Sequence, residues 1–128
     1  MAYHRSFDDI KRSDLVPGVT ARPIWGEKIM MSMIEIAPKA TVPEHAHPHE
    51  QAGIVLYGEF DFTIGGVKKR LKQGDAYIIP GNTPHSLVCG DGLAVALDIF
   101  SPPREGYQKA EARLEKKYIV AKRAKAKK

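Results

Sequence analysis

Glu44-His45-Ala46-His47-Pro48-His49-Glu50-Gln51 holds three of the chain's five histidines, together with two carboxylates and one carboxamide. Imidazoles gathered this densely point to a metal ion, since neutral imidazole is the commonest protein ligand for one. His45 and His47 are two residues apart. On an extended strand that spacing sends both side chains to one face. Pro48 biases His47 toward the extended region, which agrees with a strand ending there. The same rule would also align His49 and Gln51, yet four positions of one regular strand cannot all reach a single ion. Pro48 removes a ladder donor and bends the chain. His49, Glu50 and Gln51 therefore compete for the third ligand position, and local pattern leaves the choice open. The bland alternative is a polar surface loop rich in histidine.

Away from this stretch, the 128 residues read as one domain over residues 1–121, followed by a basic tail at 122–128. Hydrophobic residues make up 43% and charged residues 27%, as in soluble globular proteins. No apolar run approaches the ~18 residues of a membrane span. The polar, charged segment Met1 to Asp14 has no signal-peptide core, and Cys89 is a single cysteine. Both features lead us to expect a reducing, cytoplasmic setting and no membrane partner. The net charge of +5 comes from Lys122, Arg123, Lys125, Lys127 and Lys128; without them residues 1–121 are neutral. The tail has no interleaved aromatic residue on which bases could stack, which counts against a nucleic-acid partner.

The strand signals are short and regularly punctuated. Residues 1–23 read as irregular around a Pro17-Gly18 turn, with Trp25 packing at the start of the sheet. Lys28 to Ile36 reads as a strand. Pro38 and Pro43 bracket a connection into the histidines, and Gly53 to Tyr57 is a second strand. Phe60, Phe62 and Ile64 alternate with Asp61 and Thr63, then Gly65-Gly66 signals a hairpin into Val67 to Lys72. Ala76 to Ile79 and Ser86 to Cys89 follow, and Gly90-Asp91-Gly92 reads as another hairpin turn into Leu93 to Phe100. This is the pattern of an all-β sandwich or barrel. Gln108 to Tyr118, rich in Ala, Glu, Leu and Lys, reads as a short C-terminal helix. In the last strand Leu93, Val95, Leu97 and Ile99 share one bulky apolar face. Ala94, Ala96, Asp98 and Phe100 share the other, as a cavity lining would. The bulky face predicts a cover, either a second subunit of a homodimer or the C-terminal helix.

The spacing His45-x-His47, three residues, Gln51, six residues, Gly58 resembles the first motif of the cupins. Gly74, five residues, Pro80, four residues, His85 resembles the second, and the 15 residues between Gly58 and Gly74 suit small microbial members. The resemblance implies a double-stranded β-helix, or jelly roll, around one divalent metal ion held by His45, His47, Gln51 and His85. Ni, Fe, Zn or Mn would suit such donors, with Mn the least favoured. Gln51 departs from the commoner Glu, so the ion would keep its full formal charge, which favours Lewis-acid work on an anionic substrate. A narrower resemblance joins the histidine stretch to Asp98-Ile99-Phe100-Ser101-Pro102-Pro103-Arg104. It is similar to small cupins of pectin and uronate breakdown, which convert cyclic 4,5-unsaturated uronates to the linear 5-keto form. It implies a small anionic sugar-acid substrate, with Asp98 as acid or base, Phe100 as a substrate-binding side chain and Arg104 as a carboxylate clamp. The other classes open to the fold are a non-catalytic metal or small-molecule binder and a metal-dependent oxygenase.

Overall fold

The computed structural model describes residues 4–104, which form two facing antiparallel sheets. The strands are β1 (Ser13–Val16), β2 (Val19–Trp25), β3 (Met30–Ile36), β4 (Thr41–His45), β5 (Glu50–Tyr57), β6 (Glu59–Ile64), β7 (Val67–Lys72), β8 (Ala76–Ile79), β9 (His85–Cys89) and β10 (Ala94–Ser101). One sheet has the order β1-β2-β3-β10-β5-β8 and the other β4-β9-β6-β7. This is the all-β jelly roll expected. The proposed C-terminal helix and basic tail lie outside the described residues.

Three expectations need correction. Residues 1–23 are not irregular: a 3-10 turn at Phe7–Asp9 leads into β1 and β2. Their pattern was masked because the inward positions of β2 are the unremarkable Val19, Ala21 and Pro23. Pro23 is tolerated there because β1 reaches only as far as Ala21, leaving no neighbour on that side to need its missing N–H. A strand, β4, begins inside the segment bracketed by Pro38 and Pro43 and runs through Pro43 to His45. It lies at a sheet edge and its register shifts between Val42 and His45, the two settings in which a strand accepts proline. Finally, Gly90-Asp91-Gly92 joins β9 to β10, which belong to different sheets, so it is a crossing between layers and not a hairpin. Gly65-Gly66 is a hairpin, with φ of 55° and 81° that an L side chain would resist.

The core lies between the inner faces, where Phe60 and Phe62 meet edge to face at 5.7 Å and pack with Ile34, Ile36, Val55 and Leu87. Each such fully buried side chain contributes roughly 1.5–3 kcal/mol over an exposed one. Trp25, half-buried against this core, ends β2 opposite Met30, the packing role expected of it. The last strand behaves as its alternation requires. Ala94, Ala96, Asp98 and Phe100 are buried, while Val95, Leu97 and Ile99 are half-buried on the outside.

Candidate metal and acid–base site

Strand register assembles the site. His45 ends β4 and His85 begins β9, and the two are direct cross-strand partners with ring centroids 4.2 Å apart. His47 sits just past β4, its ring 5.0 Å from that of His85. One nitrogen from each of the three lies within 4.8 Å of the others. Gln51, at the start of β5, brings its Oε1 to 3.1 Å from His47 Nε2. The four residues read as ligands are thus together. His49 and Glu50 are not part of the cluster. His49 instead lends its carbonyl to His47 and turns its ring edge-on to it at 5.3 Å, and Glu50 is exposed.

The hydrogen bonds fix which nitrogen faces inward. Nδ1 of His45 bonds the Pro43 carbonyl at 2.9 Å, that of His47 the His49 carbonyl at 3.1 Å, and that of His85 the Thr83 carbonyl at 2.8 Å. A carbonyl can only accept, so each Nδ1 carries the proton and each Nε2 is left with a lone pair. Nε2 of His85 is buried without a hydrogen-bond partner. Nε2 of His47 faces the Gln51 oxygen, another acceptor. Two acceptors at that distance repel unless a cation or proton lies between them. The donor set therefore fits one metal ion. Burial, then the charge of Arg104 and the neighbouring His85, lower the His47 pKa to about 4, so its imidazole stays neutral, with a lone pair free to hold a metal, at physiological pH. Burial likewise lowers that of His85.

Asp98 lies beside this cluster at the centre of β10, 8% exposed. Tyr77, from β8, donates its hydroxyl proton to it, and Gln51 donates a second hydrogen bond. Desolvation nevertheless raises the Asp98 pKa to about 6, against the lowering pull of these bonds and of Arg104. Tyr77 was not singled out from the sequence. The alternation Ala76-Tyr77-Ile78-Ile79 puts it inward with Ile79, but only the register shows that its cross-strand partner is Gly53. A β-carbon at Gly53 would fall within the Tyr77 ring, so the glycine makes the space the phenol occupies. Arg104 lines the same cavity as Asp98, Tyr77, His45 and His85. Phe100, expected to touch substrate, is fully buried; its ring packs against His47 at 6.0 Å and lies 5.3 Å beneath the Arg104 guanidinium.

The family model described as Cupin domain matches residues 32–100. The chain is 33% identical over 102 residues to the pectin degradation protein KdgF of Dickeya dadantii (strain 3937), covering 78% of this chain and 93% of that protein. It is 31% identical over 105 residues to the H2HPP isomerase of Bacillus subtilis, covering 80% of this chain and 44% of that one. Among solved structures, KdgF from Halomonas sp. superposes with a TM-score of 0.78 at 27% identity, covering 84% of this chain and 99% of that chain.

Proposed function

The chain belongs to the cupin family, and from that premise we propose that it is a metal-dependent enzyme of pectin breakdown. The proposed reaction converts cyclic 4,5-unsaturated uronates of the galacturonate type to linear 5-keto-4-deoxyuronate. The observation that carries this reading is one cavity holding both the imidazole cluster and a buried carboxyl of raised pKa, with a guanidinium beside them. Its likeness to a pectin degradation protein over most of both chains supports the choice of substrate.

In this proposal His45, His47, Gln51 and His85 hold one divalent ion. When bound, such an ion supplies Lewis acidity to the sugar hydroxyls. Arg104 grips the uronate carboxylate with its planar fork. The Asp98 carboxylate accepts the proton of the anomeric hydroxyl. As that proton leaves, a C1–O carbonyl forms and the bond from C1 to the ring oxygen breaks, giving an aldehyde and an enolate at C5. Asp98 then returns the proton to C4, which yields the 5-ketone, so the reaction is an isomerisation with no other reactant. Tyr77 holds the carboxylate in place through its hydroxyl, and Phe100 acts by seating His47 and Arg104. We further propose a cytoplasmic homodimer, the second copy covering the apolar outer face of the larger sheet. NMR of purified protein incubated with unsaturated galacturonate tests the reaction: the expected result is accelerated appearance of the linear ketone without oxygen uptake. Ring opening at the spontaneous rate would discard the uronate reading.

A further inference from the structure

The cavity around the site has a volume of about 500 Å³ and two ends of different chemistry. The register shows where they divide. Across the inner face of the larger sheet, one row joins Phe100 to Gln51 and the next joins Ser32, Asp98, Gly53 and Tyr77. The following rows are Ala21, Ile34 and Ala96, then Val19, Ile36 and Ala94. The smaller sheet changes in the same direction. His45 faces His85, and further along the inward partners are Phe62 with Leu87 and Phe60 with Cys89. Polar groups of the inner faces therefore stop at the Asp98 row. Beyond it the cavity wall is built of Leu15, Val19, Ile34, Ile36, Val42 and Leu87, with Ser13 and the exposed Asp14 arriving only from β1. Leu15 and Val42 are only half-buried, so they still have apolar surface to cover.

A uronate would gain little from this chamber. Its carbons carry hydroxyls, and a hydroxyl set against Ile34 or Leu87 loses its water partners and gains none. Such a substrate would stay at the end with Arg104, Asp98 and the imidazoles. An apolar group in the chamber would instead gain by leaving water. Arg104 supplies an anchor at the polar end, where its charge acts on His47, His85 and Asp98.

We propose that this chain has an apolar subsite next to its metal and acid–base centre, and that the whole site binds carboxylates carrying an aromatic or branched aliphatic body. The carboxylate lies on Arg104 and the body extends along Ile34 and Val42 toward Leu15. This goes beyond the uronate reading and does not depend on turnover. The test is calorimetry and methyl NMR of the full-length, metal-loaded protein with 3-phenylpropionate and with propionate, which share a head group and differ in the body. Burial of the ring predicts roughly tenfold or tighter binding of 3-phenylpropionate over propionate, with shifted methyl signals of Leu15, Ile34 and Val42. Leu15→Gln should remove most of that difference while circular dichroism and metal content stay as in the wild type. Val42→Thr serves the same purpose if Leu15→Gln does not fold. Equal affinity for the two acids, or methyl signals that do not move, would overturn the proposal whatever the variants do. Binding of 3-phenylpropionate without uronate turnover would remove the uronate reading alone. Turnover with equal affinities would remove only the apolar subsite.

Discussion

The two sheets share one cavity and contribute different chemistry to it. The smaller sheet brings His45 and His85 inward, and the larger one brings Gln51, Tyr77 and Asp98. Their outer faces differ as much. On the smaller sheet the edge strand β7 carries Lys68, Lys69, Arg70 and Lys72, and Arg70 bonds Asp61 at 3.0 Å and Glu59 at 3.2 Å on β6. A charged edge discourages further strand pairing and suits water. The larger sheet shows Met31, Ile54 and Ile78 on its outside, in register rows with Ile99, Leu97 and Ala52. The imidazoles come from the smaller sheet and the loop after β4 and the buried carboxyl from the larger sheet, with Gln51 of the larger sheet touching both, so the two sets should be separable by mutation. One outer face is charged and suits solvent; the other is apolar and, in the dimer proposed above, would take the second copy.

The largest effect should follow a change on the imidazole side. His85→Ala removes an inward lone pair that is buried with no protein partner. Elemental analysis of protein purified without an affinity tag should show near-stoichiometric metal in the wild type and loss of most of it in the variant, with turnover at background. Equal metal in both would take His85 out of the ligand set.

Next comes the acid–base side. Asp98→Asn keeps the size and the bond accepted from Tyr77 but removes the base, so the rate should fall by ~10²–10⁴-fold with metal content unchanged. Full activity in this variant would leave the sheets undivided in role. The two layers should also titrate in opposite senses in the metal-free protein. Burial raises the Asp98 pKa to about 6 from 3.8. The folded state therefore holds this proton more tightly, and the group's contribution to stability is full below the unfolded value and lost as pH rises through about 6. Burial and Arg104 lower the His47 pKa to about 4 from 6.5. Its contribution is full above the unfolded value and lost as pH falls through about 4. Carbon-13 and nitrogen-15 NMR of the two side chains would show both midpoints. An Asp98 midpoint near its ordinary value would mean that the carboxyl is not desolvated as described.

A smaller effect is expected at Gly53, where the larger sheet makes room for the phenol. Gly53→Ala would push Tyr77 away, with an overpacking cost of about 1–3 kcal/mol measurable by denaturant unfolding. Tyr77→Phe leaves the space but removes the hydroxyl that pulls the Asp98 pKa down, so that pKa should rise further. An unchanged Asp98 titration in Tyr77→Phe would separate the phenol from the carboxyl.

The difference between the sheets also explains what could be read from the sequence. The metal side was legible because its residues announce themselves locally: His45 and His47 by a two-residue period, with His85 added by the likeness of Gly74, Pro80 and His85 to the second cupin motif. The choice of Gln51 over His49 and Glu50 was not local. It depends on His47 taking the His49 carbonyl while β5 brings Gln51 alongside. Tyr77 was illegible because the glycine that admits it lies on another strand, 24 residues earlier. Asp98 stood out because an acid on an otherwise apolar strand face needs a reason. Glycine turns showed where the chain reverses, but turn chemistry does not say whether the next strand stays in the sheet or crosses to the other, as it does after Gly90-Asp91-Gly92.

The comparison of outer faces yields the last prediction, which touches assembly and leaves the site alone. Ile54 lies on the larger sheet's outer face, opposite Leu97, which in turn opposes Met33. A two-fold axis through such a face sets each apolar row against its own copy, so one lysine in a protomer places two like charges in the contact. Wild-type protein should therefore have the mass of a dimer by light scattering at micromolar concentration, and Ile54→Lys the mass of a monomer with its metal content intact. The competing cover is the segment after Arg104, which lies outside the described residues. A chain ending at residue 107 separates the two: with a second copy as the cover it remains a dimer, whereas with the C-terminal segment as the cover the full-length wild type is already monomeric. A monomeric wild type would remove the dimer and leave the apolar face to the chain's own C-terminal segment.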